Sequence, residues 1–211
     1  MRLARSTFVL LLLAVLLCAL VGAASAGAAS QAQINASIIS GVNYLVPLQS
    51  TGGAPTGAWP CDEYYPANTG FTVAVLEHFA EHLGKTPLDA SYAYHANVQA
   101  GLDYLFSSAE YDATNHWVYW DVGGNDSYQT GPCLMAVARS GAPDAVVSGG
   151  ALDGFTYKQV AQMAVDWLAS AQGTTGDATG AWYYNKGEPY GDQSATGWVG
   201  MGLGYAVHSM G

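Results

Sequence analysis

One short phrase occurs three times in the chain and fixes the unit from which it must be built. Gly41, Tyr44 and Leu45 are followed by Gln49, by Gly57 and Trp59, and by Thr69 and Gly70 at the head of an apolar run. Gly101, Tyr104 and Leu105 are followed by Trp117, then by Thr130 and Gly131. Ala164, Trp167 and Leu168 are followed by Gln172, by Gly180 and Trp182, then by Thr196 and Gly197. The leucines lie 60 and 63 residues apart. Matching anchors at a near-fixed spacing mean one supersecondary unit used repeatedly.

Each unit reads as two helices joined by a polar, aromatic loop, with repeats at about 34–84, 89–141 and 156–211. Ile34, Ile38, Val42 and Leu45 form a helical stripe that Pro47 limits. The second helix starts near Thr69, buries Val75, Leu76, Phe79 and Leu83, and closes at Gly84. The second unit starts with Asp89 as N-cap and runs through Val98, Leu102 and Leu105; its partner spans Tyr128 to Arg139. The third starts near Thr156 and carries Val160, Met163, Ala164, Trp167 and Leu168; its last helix runs from Ala195 to Ser209. Gly200, Gly202 and Gly204 weaken that helix but suit close approach to another. No two-residue alternation lasts long enough for a sheet, so the expected fold class is all-α.

Arg2 and Arg5 precede an apolar stretch from Phe8 to Val21, and Ala24, Ser25 and Ala26 fit a cleavage site. Residues 1–26 are thus expected to be a signal peptide, with an uncleaved anchor as the alternative, and the mature protein to be secreted or held at the cell surface. Residues 27–211 suffice for one domain. Without Arg2 and Arg5, four basic residues face all sixteen acidic ones, a formal charge of −12. Such a surface repels nucleic acid and anionic lipid, so neither is an expected partner, and no membrane role is expected beyond export. Cys61 and Cys133 fit either a disulfide or a pair of buried thiols.

The spacing Gly-x2-Tyr-Leu-x3-Gln followed by Gly-x-Trp, at Gly41 to Trp59, resembles the glutamine–tryptophan repeat of squalene and hopene cyclases, a hairpin shared with protein prenyltransferase β subunits. The third unit matches through Trp167, Leu168, Gln172, Gly180 and Trp182, while the second has Ala109 in place of the glutamine. The resemblance implies α-hairpins in an α/α toroid, with the Gln amides bonding loose backbone at helix ends and the Trp side chains packing beside them. Family toroids close with about six hairpins, so three make a partial one. Three outcomes stand open: a homodimer completes the ring, a missing C-terminal half does, or the hairpins collapse into a compact bundle.

The resemblance carries over no catalytic residue, because the acid motif of the cyclases is absent. Asp126 and Asp192 each precede a Thr-Gly pair by four residues, as N-caps would, with a cation site as the alternative. His78, Glu81 and His82 fit a zinc motif of metalloproteases, but lie largely opposite the apolar stripe of their helix. No cofactor is expected. The loops are rich in aromatic residues, and hairpins stacked with one hand gather these at one end. Trp59, Asp62, Tyr65, Trp117, Trp120, Asp121, Asp126, Trp182, Tyr184 and Asp192 are the candidate lining of a pocket there, for an apolar or carbohydrate ligand. The reading is a binding or surface-interaction module, with a cyclase-like or lyase-like enzyme as the alternative and a zinc hydrolase behind both.

Overall fold

A computed structural model describes residues 28–210 apart from 54, 62 and 63, so the expected leader lies outside the described residues. The chain divides into two units, residues 1–39 and 40–211. In the first, Ser30 opens helix α1 (Gln31–Leu45) with a capping box: its hydroxyl accepts from the Gln33 amide, and the Gln33 side chain accepts from the Ser30 N–H. The expected stripe of α1 is mostly open to solvent. Ile34 and Ile38 are exposed, and of the four apolar residues only Val42 is buried.

The second unit is mainly helical: α2 (Tyr65–His82), α3 (His95–Ser108), α4 (Asp126–Arg139), α5 (Tyr157–Ala171) and α6 (Gln193–Met210), with short 3-10 turns between them. The all-α class holds, with one small exception. Strands β1 (Glu110–Asp112) and β2 (Trp117–Tyr119) form an antiparallel hairpin in the loop between α3 and α4. Three residues per strand are too few for alternation to be visible in sequence.

Local chemistry explains the ends. Gly84 takes φ +67°, and the Gly84 and Lys85 N–H groups donate to Glu81 and Ala80, closing α2 as a Schellman turn. Thr156 and Gln159 form a capping box on α5. Asp89, the expected cap of α3, instead accepts from the Ser91 N–H in a turn, and α3 begins only at His95. Along α2, Leu76 and Phe79 are buried as expected, but Val75 and Leu83 are exposed.

Helix α4 packs against both α2 and α6, while α3 packs on α2, and α5 on α4 and β2. Glycines set these approaches. A Cβ on Gly70 would lie 2.6–2.8 Å from the backbone of Pro132 and Cys133 in α4. One on Gly131 would lie 2.8–3.0 Å from the backbone of Trp198 and Val199 in α6, and one on Gly202 would lie 2.5 Å from the Gly131 carbonyl oxygen. Leu76, Leu102, Leu105, Trp120, Leu134 and Leu168 are wholly buried in the core between these helices. Cys133 is a buried free thiol on α4, so no disulfide joins it to Cys61, and burial raises its pKa.

Candidate functional site

The three loops are held by one set of hydrogen bonds used three times. The backbone N–H of Trp59, Trp120 and Trp182 donates to the hydroxyl of Thr69, Thr130 and Thr196, each at 3.0 Å. The indole N–H of the same tryptophans donates to the carbonyls of Leu45, Leu105 and Leu168 at 2.7, 2.7 and 2.8 Å. Those carbonyls stand near the ends of α1, α3 and α5, where intrahelical donors run out. Gln49 and Gln172 add a matching bond, each amide donating to the carbonyl of Gly57 or Gly180. In the second unit, where Ala109 replaces the glutamine, the β-hairpin holds the loop instead.

This geometry corrects the sequence alignment. The second anchor is Trp120, not Trp117, because the Trp120 indole donates to the Leu105 carbonyl, 15 residues back against 14 in the other two units. Trp59, Trp120 and Trp182 are buried, with their indole N–H groups engaged, and belong to the core.

A chain of tyrosines links the residue before α2, the first turn of α4 and the third loop. Tyr64 meets Tyr128 edge-on at 6.0 Å between ring centres, and Tyr128 stacks on Tyr184 at 5.3 Å. Tyr184 meets Tyr183 at 5.3 Å, and Tyr183 meets Tyr190 at 6.1 Å. The first four are half-buried and Tyr190 is 61% exposed. The Asn125 amide donates to the Tyr64 hydroxyl at 2.9 Å, and the Asn125 N–H donates to the Asn185 side chain at 2.7 Å. Tyr65, the first residue of α2, packs against the core instead.

Asp126 joins the third loop to α4. Its Oδ1 accepts from the Ser127 N–H at 2.6 Å, from the Ser127 hydroxyl at 3.2 Å and from the Lys186 N–H at 2.8 Å. The Tyr184 carbonyl accepts from the Ser127 and Tyr128 N–H groups, so the loop caps α4 from outside its own hairpin. The cap position is held by Asn125, at φ +70°, and Asp126 is the first residue of the helix. Burial raises the Asp126 pKa against these hydrogen bonds, and Asp121 adds to the rise. Asp192 behaves as the expected N-cap of α6, accepting from the Ala195 N–H; its pKa is lowered first by the Ser194 hydroxyl, then by that N–H. Asp121 is exposed beside Trp120, and Asp62 lies outside the described residues.

Lys186 was not singled out by its sequence neighbourhood. Its ammonium lies 4.0 Å from the centre of the Trp117 ring and 5.8 Å from that of Trp167, and donates to the Ser170 hydroxyl at 2.7 Å. Burial lowers its pKa, and Asp126 and Asp112 oppose the shift. The Trp117 candidate is therefore the wall of a cage filled by the protein's own cation.

At His78 and Glu81 the structure places a guanidinium. Arg139 of α4 lies 3.0 Å from the His78 Nδ1 and donates to Glu81, while its guanidinium also lies 4.4 Å from the Tyr205 ring centre. No group of three metal-binding side chains occurs among the described residues. Behind this cluster Glu77 is wholly buried, and neither carboxyl oxygen has a hydrogen-bond partner. Burial raises its pKa well above the usual carboxylate range; Arg139 opposes the rise and Glu81 adds to it. The folded protein thus holds this proton more tightly than the unfolded chain does. The Glu77 contribution to stability is therefore greatest in acid and falls as pH rises from the usual carboxylate range toward the folded-state value, with a slope up to about 1.4 kcal/mol per pH unit. Urea denaturation from about pH 5 to pH 8 should show this slope, and Glu77→Gln should flatten it; equal slopes in the two proteins would refute the assignment.

No protein family, curated protein or solved structure matches the chain.

Proposed function

We propose that the chain is an exported repeat module of the squalene-cyclase and prenyltransferase kind, built as a partial α/α toroid, that binds an apolar or carbohydrate ligand at its tyrosine-lined end without transforming it. The observation that carries this reading is the run of Tyr64, Tyr128, Tyr184, Tyr183 and Tyr190, brought together from all three repeats and left partly open to solvent. Aromatic faces bearing hydroxyl groups suit ligands that are apolar on one side and hydroxylated on the other. Burial raises the Tyr128 pKa and the half-buried Asp192 adds to the rise, a carboxylate near the run that disfavours an anionic ligand. The threefold Trp–Thr–Leu clamp supports the toroid-type scaffold.

Titration with short neutral oligosaccharides and with an apolar fluorescent probe tests this. Saturable binding of at least one is expected, weakened about three- to tenfold by Tyr184→Ala or Tyr190→Ala, as loss of one aromatic contact implies. Absence of binding by both probes, or variants that bind like the wild type, would overturn the reading.

One observation favours an enzyme: the half-buried Asp126 carboxyl, with raised pKa, stands two residues from Tyr128 in the same aromatic end. Its Oδ1 is occupied by three donors, which suits a structural tie better than proton transfer. Turnover of a polysaccharide or polyprenyl substrate that disappears in Asp126→Asn, with Tyr128 packing intact by NMR, would reverse the preference.

A further inference from the structure

We propose that Lys186 is a positioning residue of the ligand site: its ammonium fastens the third loop as a strap across the start of α4 and so sets Tyr183 and Tyr184 in the tyrosine run, the last step resting on the ligand reading above.

The third loop is the long one. From the anchor tryptophan to the threonine that binds its N–H, the first two units take ten residues and the third takes fourteen. The stretch between Trp182 and Thr196 holds Tyr183, Tyr184, Lys186 and Tyr190. A longer loop has more conformations to lose, so it keeps one shape only where contacts hold it. This one leaves its own hairpin and crosses to the preceding one. The first N–H groups of a helix have no partner inside the helix, and in α4 the Tyr184 carbonyl takes those of Ser127 and Tyr128. The Asn125 N–H donates to the Asn185 side chain, and the Lys186 N–H donates to Asp126. Except for Ser127, the residues joined here are half-buried. Water can satisfy half-buried groups too, so each such bond contributes little net stability.

The Lys186 side chain makes a tie of a different kind, and it runs to α5 and β2. There the ammonium donates to the Ser170 hydroxyl and lies over the Trp117 ring, with the Trp167 ring beside it. Tyr119 stacks on Trp167 at 5.1 Å and 15°, which holds that wall in place. A cation over a ring and partly shielded from water is bound more firmly than one on the open surface. The loop is thus gripped from two sides, by α4 through its backbone and by α5 and β2 through one charge. Tyr183, Tyr184 and Tyr190 all belong to this loop, while Tyr64 and Tyr128 do not. Loosening the strap therefore separates three of the five tyrosines from the other two.

Lys186→Met and Lys186→Arg separate charge from packing. Methionine keeps an unbranched apolar stem without the charge, whereas arginine keeps the charge and stacks on aromatic faces. Backbone hydrogen exchange at Asn125, Tyr128 and residue 186, followed by NMR without ligand, reads the strap. The methionine variant should exchange about two- to thirtyfold faster there, the span for losing one cation–π contact. The Trp182 indole N–H should stay protected in it, and the arginine variant should match the wild type. With the oligosaccharide or apolar probe that the wild type binds, methionine should weaken affinity by about the same factor, and arginine should restore it. Wild-type exchange in the methionine variant, or faster exchange with unchanged affinity, would overturn the proposal. So would an arginine variant that behaves like methionine. A wild type that binds neither probe sinks the ligand reading, whereas the exchange rates still decide whether the charge fastens the strap.

Discussion

Replacing Trp120 by alanine is expected to lower the free energy of unfolding by about 3–5 kcal/mol, the range for deleting a buried indole or phenyl ring. Trp120 heads the largest wholly buried side chains, and its indole N–H satisfies the Leu105 carbonyl at 2.7 Å. The alanine variant therefore leaves a cavity and a buried carbonyl without its partner. Natural domains hold only about 5–15 kcal/mol in total, so this variant should sit near the edge of folding. Trp117 gives the contrast. It is half-buried and engaged with Lys186, so Trp117→Ala should cost markedly less. Guanidinium denaturation of both variants measures the difference. Equal losses would mean that Trp120 is not the anchor of the second unit.

The second large effect is expected at Gly131. Alanine there places a Cβ 2.8 Å from backbone atoms of Trp198 and Val199, which no rotamer change relieves. Either α6 moves away from α4 or the helix bends, at a cost of about 1–3 kcal/mol or more. Gly41 of α1 makes the control, because a Cβ there meets no described atom within 4 Å. Gly41→Ala should be neutral or gain about 1 kcal/mol from helix propensity. Thermal unfolding of the two variants should move in opposite directions or differ clearly in size. A Gly131→Ala protein as stable as the wild type would show that α4 and α6 are not in backbone contact.

The helices could be read from sequence where local signals and packing agree. Thr156 with Gln159, Gly84 after the stripe of α2, and the span ending at Arg139 all announce their ends through short-range chemistry. Reading failed where the signal was shared by two structures. Asp89 is as good a turn former as an N-cap, and the Ser91 N–H claimed it. Trp117 and Trp120 both stand near the expected spacing, and only the indole bond to Leu105 separates them.

The candidate site was half legible for a similar reason. Tyr64, Tyr128, Tyr183, Tyr184 and Tyr190 are conspicuous as aromatics ahead of, or at the start of, a helix, and stacked hairpins imply that they meet. What joins them is tertiary: Asp126 to Lys186, Asn125 to Asn185 and Asn125 to Tyr64 bridge about 60 residues each. No local pattern encodes such ties. Glu77 was hidden too, because a carboxylate beside Leu76 and His78 reads as a solvent-facing residue. Its burial comes from the packing of neighbouring elements around α2, and that is a property of the assembled fold.

Exchange of the indole N–H protons, followed by NMR, tests most directly whether one clamp is used three times. The signals of Trp59, Trp120 and Trp182 should exchange slowly and shift together, since each donates to a leucine carbonyl at a helix end. Those of half-buried Trp117 and Trp198 should exchange fast. If Trp59, Trp120 and Trp182 exchange as fast as the other two, the repeated clamp does not exist.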